Sequence, residues 1–214
     1  PNDTLHIITF VTHSEGMYED LKNDIMKNNI HLTVIGWGEK WINYMHKLKK
    51  LHETIGRLLS NDVVIVIDGF DTRMAYGYTK EAILRIYNTT FGGTAVVFSK
   101  EKEHVFPGVP KCVSKYIGKR IFGGIANAGM YIGRVKDMHN LLGAALNIRS
   151  CKGDDQCAFN KLSDEFNIKI DNDFKLFRNL EYHERDKDVA TRHNRIFYGY
   201  PGTLSLSRLS RVPG

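Results

Sequence analysis

Residues 63–68, Val-Val-Ile-Val-Ile-Asp, limit the fold more than any other stretch of the chain. A run this apolar and β-branched predicts a strand buried on both faces, as in a sheet covered by helices on either side. Asp68 stands where such a strand should emerge, and Asp71 follows after Gly69 and Phe70. A carboxylate at a strand end needs a metal, a basic partner or water, because an unpaired buried charge is costly. Spacing alone leaves two readings open. Asp68 and Gly69 form a common turn pair with Asp71 solvated, or the two acids face one point and hold a hard divalent cation such as Mn²⁺ or Mg²⁺.

The flanking sequence repeats the strand–helix rhythm. Residues 5–12, 31–36 and 94–99 read as further buried strands, and 15–28 and 79–88 as helices, the latter with Thr79 as cap. Apolar groups recur at helical spacing from Trp41 through Met45, Leu48, Leu51, Ile55, Leu58 and Leu59. In the second half, 129–135 and 195–200 read as strands, 137–148 as a helix, 157–166 as a helix opened by Asp154-Asp155-Gln156, and 168–177 as short strands. Alternation of this kind predicts an α/β fold with a mostly parallel, Rossmann-like central sheet flanked by helices. Ligands of such sheets bind beyond the carboxyl ends of the strands. Thr12, Asp68 and Ser99 all lie at such ends and would line one crevice if their strands were neighbours.

The 214 residues suffice for one domain over 1–214, with a turn-rich tail at 204–214 expected to be loosely ordered. No apolar run approaches the ~20 residues of a membrane span, and the first residues lack the basic and apolar regions of a signal peptide. A net charge of +6 favours an anionic ligand, but the basic residues are scattered, so nucleic acid has little support. Of the 3 cysteines, Cys151 and Cys157 could pair, without amounting to a disulfide framework or a zinc signature.

Further clusters carry both an ordinary and a functional reading. Asp154 and Asp155 at a helix start are favoured by capping and the helix dipole; they could instead steady charge at a reacting centre. Phe197-Tyr198-Gly199-Tyr200-Pro201-Gly202 reads as a strand and turn, or as a glycine-rich approach to phosphate. Trp41, near Gly36-Trp37-Gly38 and Lys47, reads as core or as a ring stacking on a base.

Taken in order, several stretches fall into one pattern: Thr9-Phe10-Val11-Thr12, IGWGEKW at 35–41, KLKKL at 47–51, VVIVIDGFD at 63–71, VVFSKE at 96–101, GKRIFGGIANAGMYIG at 118–133, GDDQ at 153–156, IKIDNDFKLFRNL at 168–180 and YGYPGT at 198–203. This series resembles the N-terminal glycosyltransferase domain of the procollagen lysyl hydroxylases, which also glycosylate hydroxylysine. The resemblance implies a GT-A type fold and an enzyme moving a sugar from a UDP-sugar, glucose or galactose foremost, to a hydroxyl acceptor such as (galactosyl-)hydroxylysine in a collagen-like protein, with retention of anomeric configuration. It implies that Asp68 and Asp71 bind Mn²⁺ (or Mg²⁺), that Thr12, Trp41, Lys47, Phe70, Gln156, Tyr198 and Gly199 line the nucleotide-sugar site, and that Asp154, Asp155, Asn127 and Glu101 lie on the catalytic and acceptor side. It also points to the secretory pathway and the endoplasmic reticulum, and leaves a homodimer open.

The chain departs from the family at its closing motif, His-Gly-Asn-Gly-Pro-Thr-Lys, which here reads Tyr198-Gly199-Tyr200-Pro201-Gly202-Thr203-Leu204. A neutral tyrosine is a poor metal ligand, so water or one of His193, Arg195, Arg208 and Arg211 would have to compensate. That departure motivates a second expectation, a degenerate module that binds nucleotide sugar or a collagen-like chain without efficient turnover.

Overall fold

The computed structural model describes residues 3–101, 124–180 and 196–200. The central sheet has strand order β2-β1-β3-β6-β5-β7. Its strands are β1 (Leu5–Phe10), β2 (Leu32–Ile35), β3 (Val63–Asp68), β5 (Val96–Lys100), β6 (Ala126–Arg134) and β7 (Ile168–Ile170). A small second sheet joins β4 (Thr72–Met74), β9 (Phe197–Gly199) and β8 (Phe177–Asn179) in that order. The helices are α1 (Tyr18–Lys27), α2 (Tyr44–Ile55), α3 (Lys80–Phe91), α4 (Val135–Leu146) and α5 (Asp155–Lys161). No helix among the described residues is long and apolar enough to cross a membrane.

The apolar run of β3 is buried on both faces as its composition requires, and the strand period of two divides it between two cores. Val64 and Val66 pack with Leu48, Leu51 and Ile55 of α2 and with Met138, Leu141 and Leu142 of α4. Val63, Ile65 and Ile67 pack on the other face with Leu21 and Ile25 of α1 and with Ile83 and Tyr87 of α3. Thr79 caps α3 as expected, accepting a hydrogen bond from the Ala82 amide at 3.2 Å.

The sheet is parallel throughout except at β6, which runs antiparallel to both of its neighbours, β3 and β5. A purely parallel reading of the strand–helix rhythm misses this, because a doubly buried strand looks the same in either direction. The reversal brings the N-terminal end of β6 to the edge where β1, β3 and β5 end. The strand also starts earlier than expected, at Ala126 rather than 129, because its pairing with β5 jumps from Phe98↔Tyr131 to Ser99↔Asn127. Residues 128–130 bulge from that ladder, and such irregularities commonly re-aim side chains at sites.

Other expectations are corrected in detail. The helix of 39–60 is confined to Tyr44–Ile55, so Trp41 precedes it and is 40% exposed, while Leu59 beyond it is 74% exposed. The helix read at 157–166 starts at Asp155 and gives way to a 3₁₀ turn at Leu162–Asp164. The strand β4 went unread because three residues are too few to show a period. It is held by Arg73, whose guanidinium donates to both oxygens of Asp24 on α1 at 2.6 and 3.0 Å. The tail at 204–214 and Cys112 lie outside the described residues.

The turn from β7 to β8 rests on Asp171, fully buried. Its carboxylate accepts from the backbone amides of Lys175, Leu176 and Phe177 at 2.8, 2.7 and 2.9 Å. Removing it strands buried donors, each worth about 1–3 kcal/mol when left unmet. Asp171→Ala is therefore expected to lower the unfolding free energy by about 3 kcal/mol, read as a lower urea midpoint at unchanged slope.

Candidate active site

The site forms at the edge where β1 and β3 end, in register at Phe10↔Asp68. After Asp68 the chain turns across β1 through Gly69. A Cβ there would lie 2.1 Å from Val11 Cγ1 and 2.9 Å from Thr9 Oγ1, so the turn closes only with glycine. The Phe70 carbonyl accepts from the Met17 amide at 2.9 Å, and the Asp71 carbonyl from the Tyr200 amide at 2.7 Å. Both acids are thereby held on a turn fixed at each end.

Lys47 supplies the centre of the cluster. It lies on the buried stripe of α2 with Leu51 and Ile55, at the spacing of successive turns, and is only 4% exposed. Its ammonium donates to Asp68 Oδ1 at 2.7 Å and lies 3.4 Å from Asp155 Oδ2. Burial alone would depress this ammonium, but the Asp68 and Asp155 charges outweigh it and hold the group above its usual range.

Asp154 and Asp155 divide the two readings of the sequence between them. Asp154 is the N-cap of α5, its carboxylate accepting from the Cys157 amide at 2.6 Å. Asp155, 5% exposed, turns inward to Lys47. Burial pushes its carboxyl upward, with Lys47 opposing. Cys151 and Cys157 are joined by a disulfide that closes the short loop carrying both acids.

A second group adjoins the first. Glu101 Oε2 accepts from Asn127 Nδ2 at 2.8 Å and Gln156 Nε2 at 2.9 Å. The same two side chains satisfy the backbone freed by the β6 bulge: Asn127 Oδ1 accepts from the Gly129 amide at 2.8 Å, and Gln156 Oε1 from the Ala128 amide at 3.1 Å. Gly129 joins the groups, since a Cβ there would press on Asn127 Oδ1 at 2.9 Å and on Asp68 Oδ2 at 3.2 Å.

The remaining expected residues fall around this centre. Thr12 is nearly buried at the end of β1, its hydroxyl 2.8 Å from His13 Nδ1. Its carbonyl accepts from Gly38, which ties the Trp37 loop to the strand end. Trp41 packs edge-on to Phe10 with centroids 5.8 Å apart, and half-buried Phe70 lies 5.6 Å from the His13 ring. Ser99 lies opposite Asn127. Gly199 pairs with Thr72 in the small sheet. Tyr198 is fully buried with Ala75, Leu180 and Tyr200, so its ring offers no face to a base. His193, Arg195, Arg208 and Arg211 lie outside the described residues.

Two tyrosines of the site escaped the sequence reading. Tyr44, three residues before Lys47 on α2, is 49% exposed, and partial burial together with the Asp155 charge pushes its phenol up. Tyr131 is buried with its hydroxyl unbonded among the described residues, and burial pushes it up against the lowering effect of Lys47. For Tyr44 the available signal was its place three residues before Lys47 on the same helix.

Among the described residues no three His, Cys, Asp or Glu side chains gather into a metal-binding group. The donor set nonetheless fits a hard cation in part. Among the described residues the Asp71 carboxylate accepts a hydrogen bond from its own backbone, and burial together with the Asp68 charge pushes it up to about 7. A carboxyl kept protonated by burial and a neighbouring negative charge is what a divalent ion relieves, its other ligands coming from phosphate oxygens and water.

The comparisons with known proteins meet this geometry at residues 1–199, which match the family described as "PLOD GT domain". The chain belongs to that family. It is a glycosyltransferase domain. A Caenorhabditis elegans protein described as a multifunctional procollagen lysine hydroxylase and glycosyltransferase is 25% identical over 192 residues, covering 82% of this chain and 26% of the relative. The chain thus spans about a quarter of that relative's length. A solved glycosyltransferase involved in glycosylation of the major capsid of PBCV-1 superposes with a TM-score of 0.60 over 96% of each chain at 9% identity, a likeness of GT-A fold alone.

The raised Asp71 carboxyl makes stability depend on pH. The unfolded chain loses this proton near 3.8 and the folded domain near 7, so the stabilisation is complete below the lower value and is lost as pH rises through the upper one. Asp71→Asn is expected to melt with the wild type at pH 3 and above it at pH 8. The gain should be about 1–2 kcal/mol, below the full shift because the side chain keeps some contact with water. Paired melting curves at the two pH values check this.

Proposed function

We propose that this glycosyltransferase domain transfers a hexose, glucose or galactose, from a UDP-sugar to a hydroxyl acceptor such as hydroxylysine or galactosyl-hydroxylysine of a collagen-like protein. The observation that carries the reading is the convergence of Asp68, Asp71 and Asp155 at the carboxyl edge of a GT-A sheet, beside the Glu101–Asn127–Gln156 group. The C. elegans relative's name supports the acceptor class, and the Cys151–Cys157 disulfide suits an oxidising compartment of the secretory pathway.

Asp68 and Asp71 would hold Mn²⁺ or Mg²⁺, which when bound supplies positive charge against a diphosphate leaving group. Exposed Trp41 and half-buried Phe70 would take the base or sugar on their rings, with Thr12 contributing to the same nucleotide site. Asp155 steadies positive charge developing at the anomeric carbon. Glu101 orients the incoming hydroxyl, with Asn127 and Gln156 fixing the carboxylate that receives it. Asp155 is tied to Lys47 and Asp154 to a helix cap, so neither is poised as a covalent nucleophile; with the retention that the family resemblance implies, transfer would run by a front-face displacement.

A second reading is a module that binds nucleotide sugar without efficient turnover. It is favoured by Tyr198, which replaces the family's histidine and is fully buried. Both readings expect UDP with Mn²⁺ to raise the melting temperature by mass action, and Asp68→Ala to abolish the Mn²⁺-dependent part. UDP release from a panel of donors, without and then with galactosyl-hydroxylysine peptide, separates them. An active enzyme is expected to release UDP faster with the peptide, and Asp155→Asn to lower kcat by about 100-fold or more, as loss of a charge-stabilising group does, with little change in donor affinity. No UDP-induced shift and no release would refute both.

A further inference from the structure

We propose that Lys47 is a resident cation of the site, one that competes with the divalent ion for Asp68 and keeps the nucleotide-free domain a weak binder of Mn²⁺. The inference rests on the transferase reading only for the expectation that a metal binds at Asp68 and Asp71. Lys47 makes the ion pairs of both Asp68 and Asp155 among the described residues, at 2.7 and 3.4 Å. It does so from the buried face of α2, which also carries Leu48, Leu51 and Ile55, and at 4% exposure its ammonium has little room to swing away. Asp68 Oδ1 is therefore engaged, and Oδ2, on the Gly129 side, is the oxygen left for an incoming ion.

An ion at Asp68 Oδ2 and Asp71 would share one carboxylate with a buried positive charge. Like charges a few ångströms apart repel strongly where water is scarce. A nucleotide diphosphate brings enough negative charge to accommodate both cations. The free domain is thus expected to hold Mn²⁺ loosely and the diphosphate complex to hold it well. Without metal, the ammonium keeps Asp68 and Asp155 from repelling each other, so the cleft is ordered before substrate arrives.

The test is a Mn²⁺ titration of the nucleotide-free domain, following the electron paramagnetic resonance signal of unbound Mn²⁺, in the wild type and in Lys47→Met. The variant is expected to bind Mn²⁺ about tenfold or more tightly than the wild type, the size expected for removing one nearby unit charge from a partly buried site. Because Lys47→Met leaves the buried Asp155 without its ion-pair partner, the same substitution is also made on an Asp155→Asn background and compared with Asp155→Asn alone, with circular dichroism verifying the fold. Tighter Mn²⁺ binding on either background supports the proposal. Equal or weaker binding by folded Lys47-substituted protein overturns it, since Lys47 would then be orienting Asp68 for the metal or be indifferent to it. Absence of Mn²⁺ binding from every variant overturns it too. The transferase reading fails separately, on UDP binding and release.

Discussion

The ammonium of Lys47 joins three elements that the chain supplies far apart: α2, the end of β3 through Asp68, and the start of α5 through Asp155. A buried charge is tolerated only where partners surround it. Lys47 and Asp155 are each other's condition for being inside, and half-exposed Asp68 completes the lysine's pairing. The edge of the sheet is arranged around that requirement: α2 presents its apolar stripe to the sheet so that Lys47 reaches the strand end, and α5 starts where its first residue can turn inward.

The antiparallel β6 supplies the other half of the cleft. In a sheet of uniformly parallel strands, the neighbour of β3 would also end at this edge. Here it begins at the edge, and its bulge exposes backbone amides that Asn127 and Gln156 must satisfy. The same side chains then hold Glu101. A local irregularity in hydrogen bonding thus becomes an array of fixed polar groups beside Asp68, with Gly129 small enough to let the two regions touch.

Much of this was legible beforehand. The doubly buried strand at 63–68, the strand–helix alternation, the Thr79 cap and the residues of the acidic edge follow from composition, period and resemblance. The capping role of Asp154 was legible too, because acids at a helix start are stabilised locally. The inward turn of Asp155 was not, since its partner lies on a helix more than a hundred residues earlier. Nor could period reveal the direction of β6 or the three-residue strand β4, whose geometry is fixed by pairing with distant segments. The burial of Tyr198 belongs with these: alternation along β9 predicts two faces, but only the packing of Ala75 and Leu180 makes the second face dry.

What the amino-acid order alone determined is whatever depends on near neighbours: which segments become strands and helices, which faces are apolar, and which acids stand at strand and helix ends. What only the tertiary structure decided is which charges meet. Whether Asp68 faces water or Lys47, and whether Asp155 caps or pairs, depends on interactions that strengthen as water is excluded. Exclusion of water is a property of the assembled fold and of no single stretch of chain.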